Sequence, residues 1–332
     1  MRYAALVELS RVGPGSGVEE NYPRPRILLS ECLGVRAVRY DGNVIYDRVV
    51  EAVKKFVDVV PVCPEVGMGL GVPRDPLILV KKNSSTKLIL TKTGEDFTER
   101  LLSFADSFLS SANSVDGVLL KSASPSCGVR DAKVYGKGGG VVARSDGLFA
   151  AVVRSRYPHL PIESEKRLLN YEIRRDFLTR VFAIAHVREV TSRARDFREL
   201  VELHRRYKYV LMLYNPSKLK TLGRMAAGAG EENMREVSET YMKTFLEALF
   251  KPPKRGSYAN VLTHIYSHIK KELTEEERRY VLDLVERYRR GLVDLKTLLI
   301  YFKGFIYRLG SKYLAEQKFM NPYPEELDNV VV

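Results

Sequence analysis

Two stretches decide the fold class: Arg26-Ile27-Leu28-Leu29-Ser30-Glu31-Cys32-Leu33-Gly34, and Asp47 to Cys63 (DRVVEAVKKFVDVVPVC). The first holds a short apolar run that reads as a strand. In the second, apolar residues recur at helical spacing from Asp47 to Val57, and Val57 to Val62 reads as another strand. Working outward, Leu77 to Val80 and Leu88 to Leu90 are further strand candidates. Thr93-Gly94-Glu95-Asp96 resembles a helix start, because a threonine hydroxyl can accept an orphan amide hydrogen and the two acids complement the helix dipole. That helix is predicted to run to about Ser111, before a buried strand at Gly117-Val118-Leu119-Leu120. Strands alternating with helices imply an α/β domain with a mostly parallel, Rossmann-like sheet covered on both faces.

The texture changes around Pro158 and Pro161. From Glu163 onward the pattern predicts an all-α domain, with helices over 163–188, 196–214, 231–250, 257–273, 275–290 and 294–316. Asn215-Pro216, the glycines at 228 and 230, and Pro252-Pro253 with Gly256 act as loop signals between them. The expected organisation is an N-terminal extension (1–25) with a strand-like patch from Tyr3 to Leu9, an α/β domain (26–157) and a helical domain (158–332).

At 332 residues the chain is long enough for two domains of ~150 residues each. It is 45% hydrophobic and 29% charged, ordinary globular proportions that argue against disorder. The longest apolar stretch, Leu148 to Val153, is too short for a bilayer, and Glu8 and Arg11 interrupt any signal-peptide pattern, so a cytoplasmic protein is expected. The net charge of +13 is uneven. Residues 1–150 carry 20 basic and 17 acidic side chains, whereas residues 151–332 carry 34 and 24. A basic half beside a near-neutral one fits a polyanion-binding module next to a catalytic one; a solvated helical surface is the plain alternative. Gln317 is the only glutamine and charged residues abound, which fits a thermophilic source.

Three cysteines, Cys32, Cys63 and Cys127, are too few and too scattered for a secreted disulfide framework. Each follows a predicted strand, and in an open parallel sheet the loops at the carboxyl ends of strands build the site. Turn residues flank all three: Leu33-Gly34, Pro61 and Pro64, and Ser124-Pro125-Ser126-Cys127-Gly128. Thiolates favour zinc or iron–sulfur clusters. A closed zinc site commonly takes a histidine, yet the earliest histidine is His159. On residues alone a cluster, a zinc ion and incidental or redox-active thiols all remain open.

The motifs around these cysteines resemble a known family. Ser30-Glu31-Cys32-Leu33-Gly34 with Val38-Arg39-Tyr40-Asp41-Gly42, then Pro61-Val62-Cys63-Pro64-Glu65 with Pro73-Arg74, then Ser122-Ala123-Ser124-Pro125-Ser126-Cys127-Gly128, match the thiouracil desulfidase family in order across residues 25–155. The resemblance implies a [4Fe-4S] cluster ligated by Cys32, Cys63 and Cys127, with a free iron that takes the sulfur of a thiolated uracil. It implies Glu65 and Ser124 as the polar groups nearest the chemistry; Glu65 is then expected to activate water, and an unpaired carboxylate in a desolvated pocket would have the raised pKa that a general base needs. The helix after Cys63-Pro64 offers Glu65 a capping role instead. Arg39, Tyr40, Asp41 and Asn43, with Arg74 and Ser126, are candidates for holding the substrate; a turn on Asp41-Gly42 explains some of these equally well.

The second half is similar to the helical domain fused to such desulfidases, through His204, Tyr207-Lys208-Tyr209, Met212, Asn260-Val261-Leu262, His264, Gln317 and Asn321-Pro322-Tyr323-Pro324. The fused proteins imply 4-thiouridine in tRNA as substrate, with RNA held by the helical half. Arg205, Arg206, Lys208, Lys218 and Lys220 are the candidate RNA contacts, against the reading that Leu200, Leu203, Tyr207, Val210 and Leu211 form a core stripe with a solvated basic face. Neither DNA nor a membrane is expected as partner. The rivals are a desulfidase acting on free thiouracil or thionucleosides, a non-catalytic metal-stabilised RNA-binding protein and, more remotely, a redox sensor. Gly136-Lys137-Gly138-Gly139-Gly140 lacks phosphate-loop spacing and reads as a loop between strands. His264 and His268 read as packed or surface residues.

Overall fold

Strand β1 (Arg26–Ser30) is buried along almost its whole length, as a parallel strand covered on both faces must be. The computed structural model describes residues 22–83, 85–112, 114–193 and 196–330; the patch Tyr3 to Leu9 lies outside them. Helix α1 (Arg48–Lys54) follows, its first amides capped by the Asp47 carboxylate, which accepts from the N–H groups of Val49 and Val50. Strand β2 (Asp58–Val62) and helix α2 (Pro64–Gly67) come next. A hairpin of β3 (Leu77–Lys82) and β4 (Ser85–Leu90) precedes α3 (Thr98–Ser111) and β5 (Gly117–Leu120). Strands β6 (Ala132–Tyr135) and β7 (Val141–Ser145), helix α4 (Leu148–Arg156) and strand β8 (Ile162–Ser164) complete the α/β part.

The first sheet has the order β2-β1-β5-β8 and every pair is parallel. Leu28, Val62, Val118 and Leu120 face α3, α4 and the inner side of a second sheet through Leu101, Phe149 and Leu79. Ile27, Leu29 and Leu119 face the other way, onto Val49, Val50 and Val53 of α1 and onto helix α5 (Tyr171–Arg193) through Phe177, Leu178 and Val181. Gly117 permits that approach, since a Cβ there would stand 2.5 Å from Val181. The second sheet, β4-β3-β6-β7, is mixed. The candidates Leu77–Val80 and Leu88–Leu90 therefore form an antiparallel hairpin beside the parallel sheet.

The helical part continues with α6 (Phe197–Tyr214), α7 (Pro216–Ala227), α8 (Met234–Ala248), α9 (Arg255–Ile269), α10 (Glu275–Arg289), α11 (Leu295–Arg308) and the short α12 (Lys312–Ala315). Their apolar faces share one core, from Leu203 and Tyr207 to Phe302 and Phe319. No helix among the described residues is long and apolar enough to cross a membrane.

Several boundaries differ from expectation. The helix predicted over 163–188 begins at Tyr171, because Ile162 to Ser164 pair with Val118 to Leu120 as the fourth parallel strand. Helix α7 stands where Asn215-Pro216 reads as a loop: Asn215 is its N-cap, accepting the Lys218 N–H, and Pro216 occupies the first turn, where a missing N–H costs nothing. The helix predicted from Thr93 starts at Thr98, with the Asp96 carboxylate accepting the Thr98 N–H. The glycine run 136–140 does turn between strands β6 and β7. His268 sits against Tyr209 and Tyr313 as a packed ring.

Candidate active site

All four parallel strands end at one edge, and the residues just past them build the site. Past β1 lies Cys32, on a tight turn closed by the Leu33 N–H donating to the Ser30 carbonyl at 2.9 Å. Past β2 lies Cys63, at the N-cap position of α2. Past β5 the chain turns back on itself from Ser122 to Gly128. The Ser124 hydroxyl oxygen holds this turn by accepting the N–H groups of Ser126 at 3.2 Å and Cys127 at 3.0 Å. Gly128 fits where nothing larger does, since a Cβ there would sit 2.7 Å from the Ser124 carbonyl oxygen. Cys32, Cys63 and Cys127 thereby open into a single cavity of about 480 Å³, with Glu65, Arg74 and Ser124 in its wall.

Burial makes these thiols reluctant to ionise. It pushes Cys32 up to about 12, reinforced by Cys63 and opposed by the Lys121 ammonium. Cys127 is raised well above the ordinary thiol range, burial again dominating, and Cys63 is raised against the pull of neighbouring amides and of Arg74. Such thiols bind a metal group as thiolates, each releasing its proton to solvent or a base as the metal takes the sulfur. Among the described residues, no group of three or more His, Cys, Asp or Glu side chains is arranged to hold a single metal ion.

Glu65 departs from expectation. It is not an unpaired carboxylate: the Arg74 guanidinium donates to its Oε2 from Nε at 2.8 Å and stands 2.7 Å away through Nη2, while Ser126 donates to its Oε1 at 3.0 Å. Arg74 also donates to the carbonyls of Val38 and Gly71. Nor is Glu65 a mere cap, because it faces the cavity. Ser126 is fully buried and touches Glu65. Arg39 and Tyr40 reach the cavity wall, the guanidinium 4.8 Å over the Tyr40 ring. Asp41 pairs with Arg39 and accepts the Asn43 N–H, so Asp41 and Asn43 serve the turn.

Sequence reading missed Lys121 and Glu165. Glu165 follows β8 and is almost wholly buried. Its Oε2 accepts the Ser122 N–H at 2.7 Å, and its Oε1 accepts the Ser122 hydroxyl at 2.7 Å and the Lys121 ammonium at 2.6 Å. Lys121 and Lys166 line the same cavity, as does Tyr135 at the end of β6. The signal available was position: both Lys121 and Glu165 stand directly after a parallel strand, but 162–164 did not read as one.

The candidate RNA contacts on the helical half are mostly spent within the protein. Arg205 pairs with Glu202 and Glu316, Arg206 with Glu202, and Lys218 with Glu247 at 2.6 Å. Lys208 lies over the rings of Tyr209 and Tyr313; Lys220 is exposed. Tyr207, Tyr209, Gln317 and Tyr323, which carry much of the resemblance there, are core residues.

Comparison with known proteins addresses the α/β part directly. The family described as 2-thiouracil desulfurase matches residues 27–165. YbbK of Bacillus subtilis (strain 168), described as uncharacterized, is 36% identical over 112 residues, covering 31% of this chain and 72% of that protein. The chain belongs to the 2-thiouracil desulfurase family. Residues 208–324 of this desulfurase-family chain match a second family, described as a protein of unknown function, DUF1722. YbgA of Escherichia coli (strain K12), also described as uncharacterized, is 22% identical over 152 residues, 46% of this chain and 90% of that protein. A solved structure titled [4Fe-4S]-dependent thiouracil desulfidase TudS is 28% identical, covers 44% of this chain and 94% of that one, and superposes with a TM-score of 0.35.

Proposed function

We propose that this protein replaces the sulfur of a thiolated uracil by oxygen, without net redox change, and that 4-thiouridine in tRNA is its substrate. The observation that carries the desulfidase reading is the convergence of three sequence-distant thiols on one cavity that also holds a carboxylate. The family match supports the substrate class. The positive balance of the second half, 34 basic against 24 acidic side chains over residues 151–332, supports an RNA partner.

The donor set fits an iron–sulfur group. Cys32, Cys63 and Cys127 offer only sulfur, which suits soft metal centres, and no histidine is among the cavity's lining residues. Three protein ligands leave one position of a [4Fe-4S] cluster open. Bound there, such a cluster supplies a Lewis-acidic iron able to take sulfur from the ring. The overall exchange is C=S plus water to C=O plus hydrogen sulfide, so two protons pass from water to the sulfur.

The chain's own residues manage that water and those protons. Arg74 and Ser126 fix the Glu65 carboxylate from two sides, yet each carboxylate oxygen accepts more than one hydrogen bond, so Glu65 can still take a proton from water in the cavity. Ser124 uses its oxygen to hold the turn, which leaves its own O–H free to donate toward the substrate. Tyr40 and Tyr135 give the cavity aromatic walls for a planar base.

Anaerobic reconstitution with iron and sulfide tests the reading. A brown protein with equal iron and acid-labile sulfide is expected, releasing sulfide from 4-thiouracil and from thiolated tRNA. A colourless protein that binds zinc and releases no sulfide from either would refute it.

A further inference from the structure

The outer face of the second sheet runs into the active-site cavity and carries, at Lys82, Lys133 and Arg144, positive charge that no carboxylate among the described residues pairs with. In β3, Leu77 and Leu79 enter the core, so Ile78, Val80 and Lys82 share the outer face. In β6, Ala132 and Val134 enter the core, which leaves Lys133 and Tyr135 outside. Ile78 and Tyr135 also wall the cavity, so the face and the site are continuous.

Lys133 stands directly across from Arg144 on the edge strand β7, and both are exposed. Like charges placed directly opposite in a ladder repel. Among the described residues Arg144 donates to the Asp131 carbonyl at 3.2 Å and to no carboxylate, and Lys87 on the same face pairs with Asp96. Among the described residues, no carboxylate lies within ion-pair distance of Lys82, Lys133 or Arg144. The helical half shows the opposite arrangement at Arg205, Arg206 and Lys218, whose charges are already paired. A repulsive cation pair beside an aromatic ring at a cavity mouth is the arrangement that an anionic strand carrying a base relieves.

We infer that the RNA strand bearing the thiolated base crosses this outer sheet face, with Lys82, Lys133 and Arg144 against its phosphates and Tyr135 where the base turns into the cavity. The inference rests on the RNA reading above and locates the strand on the α/β half, where the net charge alone did not point.

Lys133→Glu is the decisive variant, because it turns the repulsive pair into an attractive one and so keeps the hairpin's stability. The probes are fluorescein-labelled tRNA containing 4-thiouridine, for binding at several salt concentrations, and free 4-thiouracil, for turnover. The expected result is a Kd for tRNA weakened about tenfold and a salt slope shallower by about one. Free 4-thiouracil turnover and melting temperature stay unchanged, and Lys220→Glu leaves the tRNA Kd in place. An unmoved Kd in both Lys133→Glu and Arg144→Glu, with a loss in Lys220→Glu, overturns the inference. Loss of free-base turnover in Lys133→Glu also counts against it. A wild-type protein that desulfurates 4-thiouracil but binds no tRNA overturns the RNA reading, and this inference with it, while the desulfidase chemistry stands.

Discussion

Glu165→Ala is expected to loosen the active site from behind. Glu165 takes three short hydrogen bonds from Lys121 and Ser122, and only 3% of its side chain is exposed, against 19% for Lys121. Removing one partner of a buried ion pair costs about 3–5 kcal/mol. Lys121 borders an open cavity where water can solvate its stranded charge, so the lower end, about 3 kcal/mol, applies. With an unfolding entropy of about 2.1 cal/mol/K per residue, that is a fall in melting temperature of about 4 °C for a chain of this length. The damage is directed at residues 121–127, which carry Ser124 and Cys127, so reconstituted protein should hold less iron and show altered visible circular dichroism. Denaturant unfolding of Glu165→Ala, Lys121→Met and the double variant gives the coupling. The double variant should cost clearly less than the two single losses added, because it strands neither charge. Additive losses, or less than about 1 kcal/mol for Glu165→Ala, would refute this account of how the turn is held.

Arg74→Gln should lower sulfide release while weakening the fold by about 3 kcal/mol, since it leaves the Glu65 carboxylate without its guanidinium; unchanged turnover would remove Arg74 from the site. Cys127→Ser, measured by iron content after anaerobic reconstitution, should lose most of the iron, and full retention would exclude Cys127 as a ligand. Burial first, then the charges of Lys318 and Arg206, lowers His186 from 6.5 to about 4. The folded chain thus keeps His186 neutral where the unfolded chain protonates it. The associated stability is complete above pH ~6.5 and fades as pH falls toward 4, by about 3 kcal/mol. Urea unfolding at both ends of that range should show a flatter pH dependence for His186→Gln than for wild type; parallel slopes would contradict it.

What was legible in the sequence was what local pattern controls. The runs at 26–30 and 58–62 and the helix between them announce a parallel sheet through apolar spacing alone, and strand-end placement brought the three cysteines into view. What was not legible depends on partners distant in the chain. Ile162 to Ser164 is a strand only because Val118 to Leu120 lies open beside it, so Glu165 could not be recognised as a residue at the site. The pairing of Glu65 with Arg74 crosses a loop whose course no periodicity describes. Charge counting located the basic surplus in the second half, but whether a lysine or arginine is available depends on whether a carboxylate folds against it, as Glu202 and Glu247 do.

The two halves also share structure in a way that a division by composition hides. Helix α5 opens the helical part, yet Phe177, Leu178 and Val181 cover the face of the parallel sheet formed by Ile27, Leu29 and Leu119. Arg188 of the same helix donates two 2.8 Å hydrogen bonds to Asp116, a fully buried carboxylate just before β5. At the far end of the chain, Tyr323 and Leu327 return to the same apolar cluster, and Tyr22 donates to the Asn321 carbonyl. The Asn321 to Pro324 motif thus serves to pack the chain's end beside the desulfurase sheet. A helical half built only to carry RNA would not need its first helix and last turn in that core. Here they form one wall of the sheet whose carboxyl ends hold the cysteines, and Cys32 itself packs against that cluster, so its position depends on residues beyond 170 as well as on the strands before them.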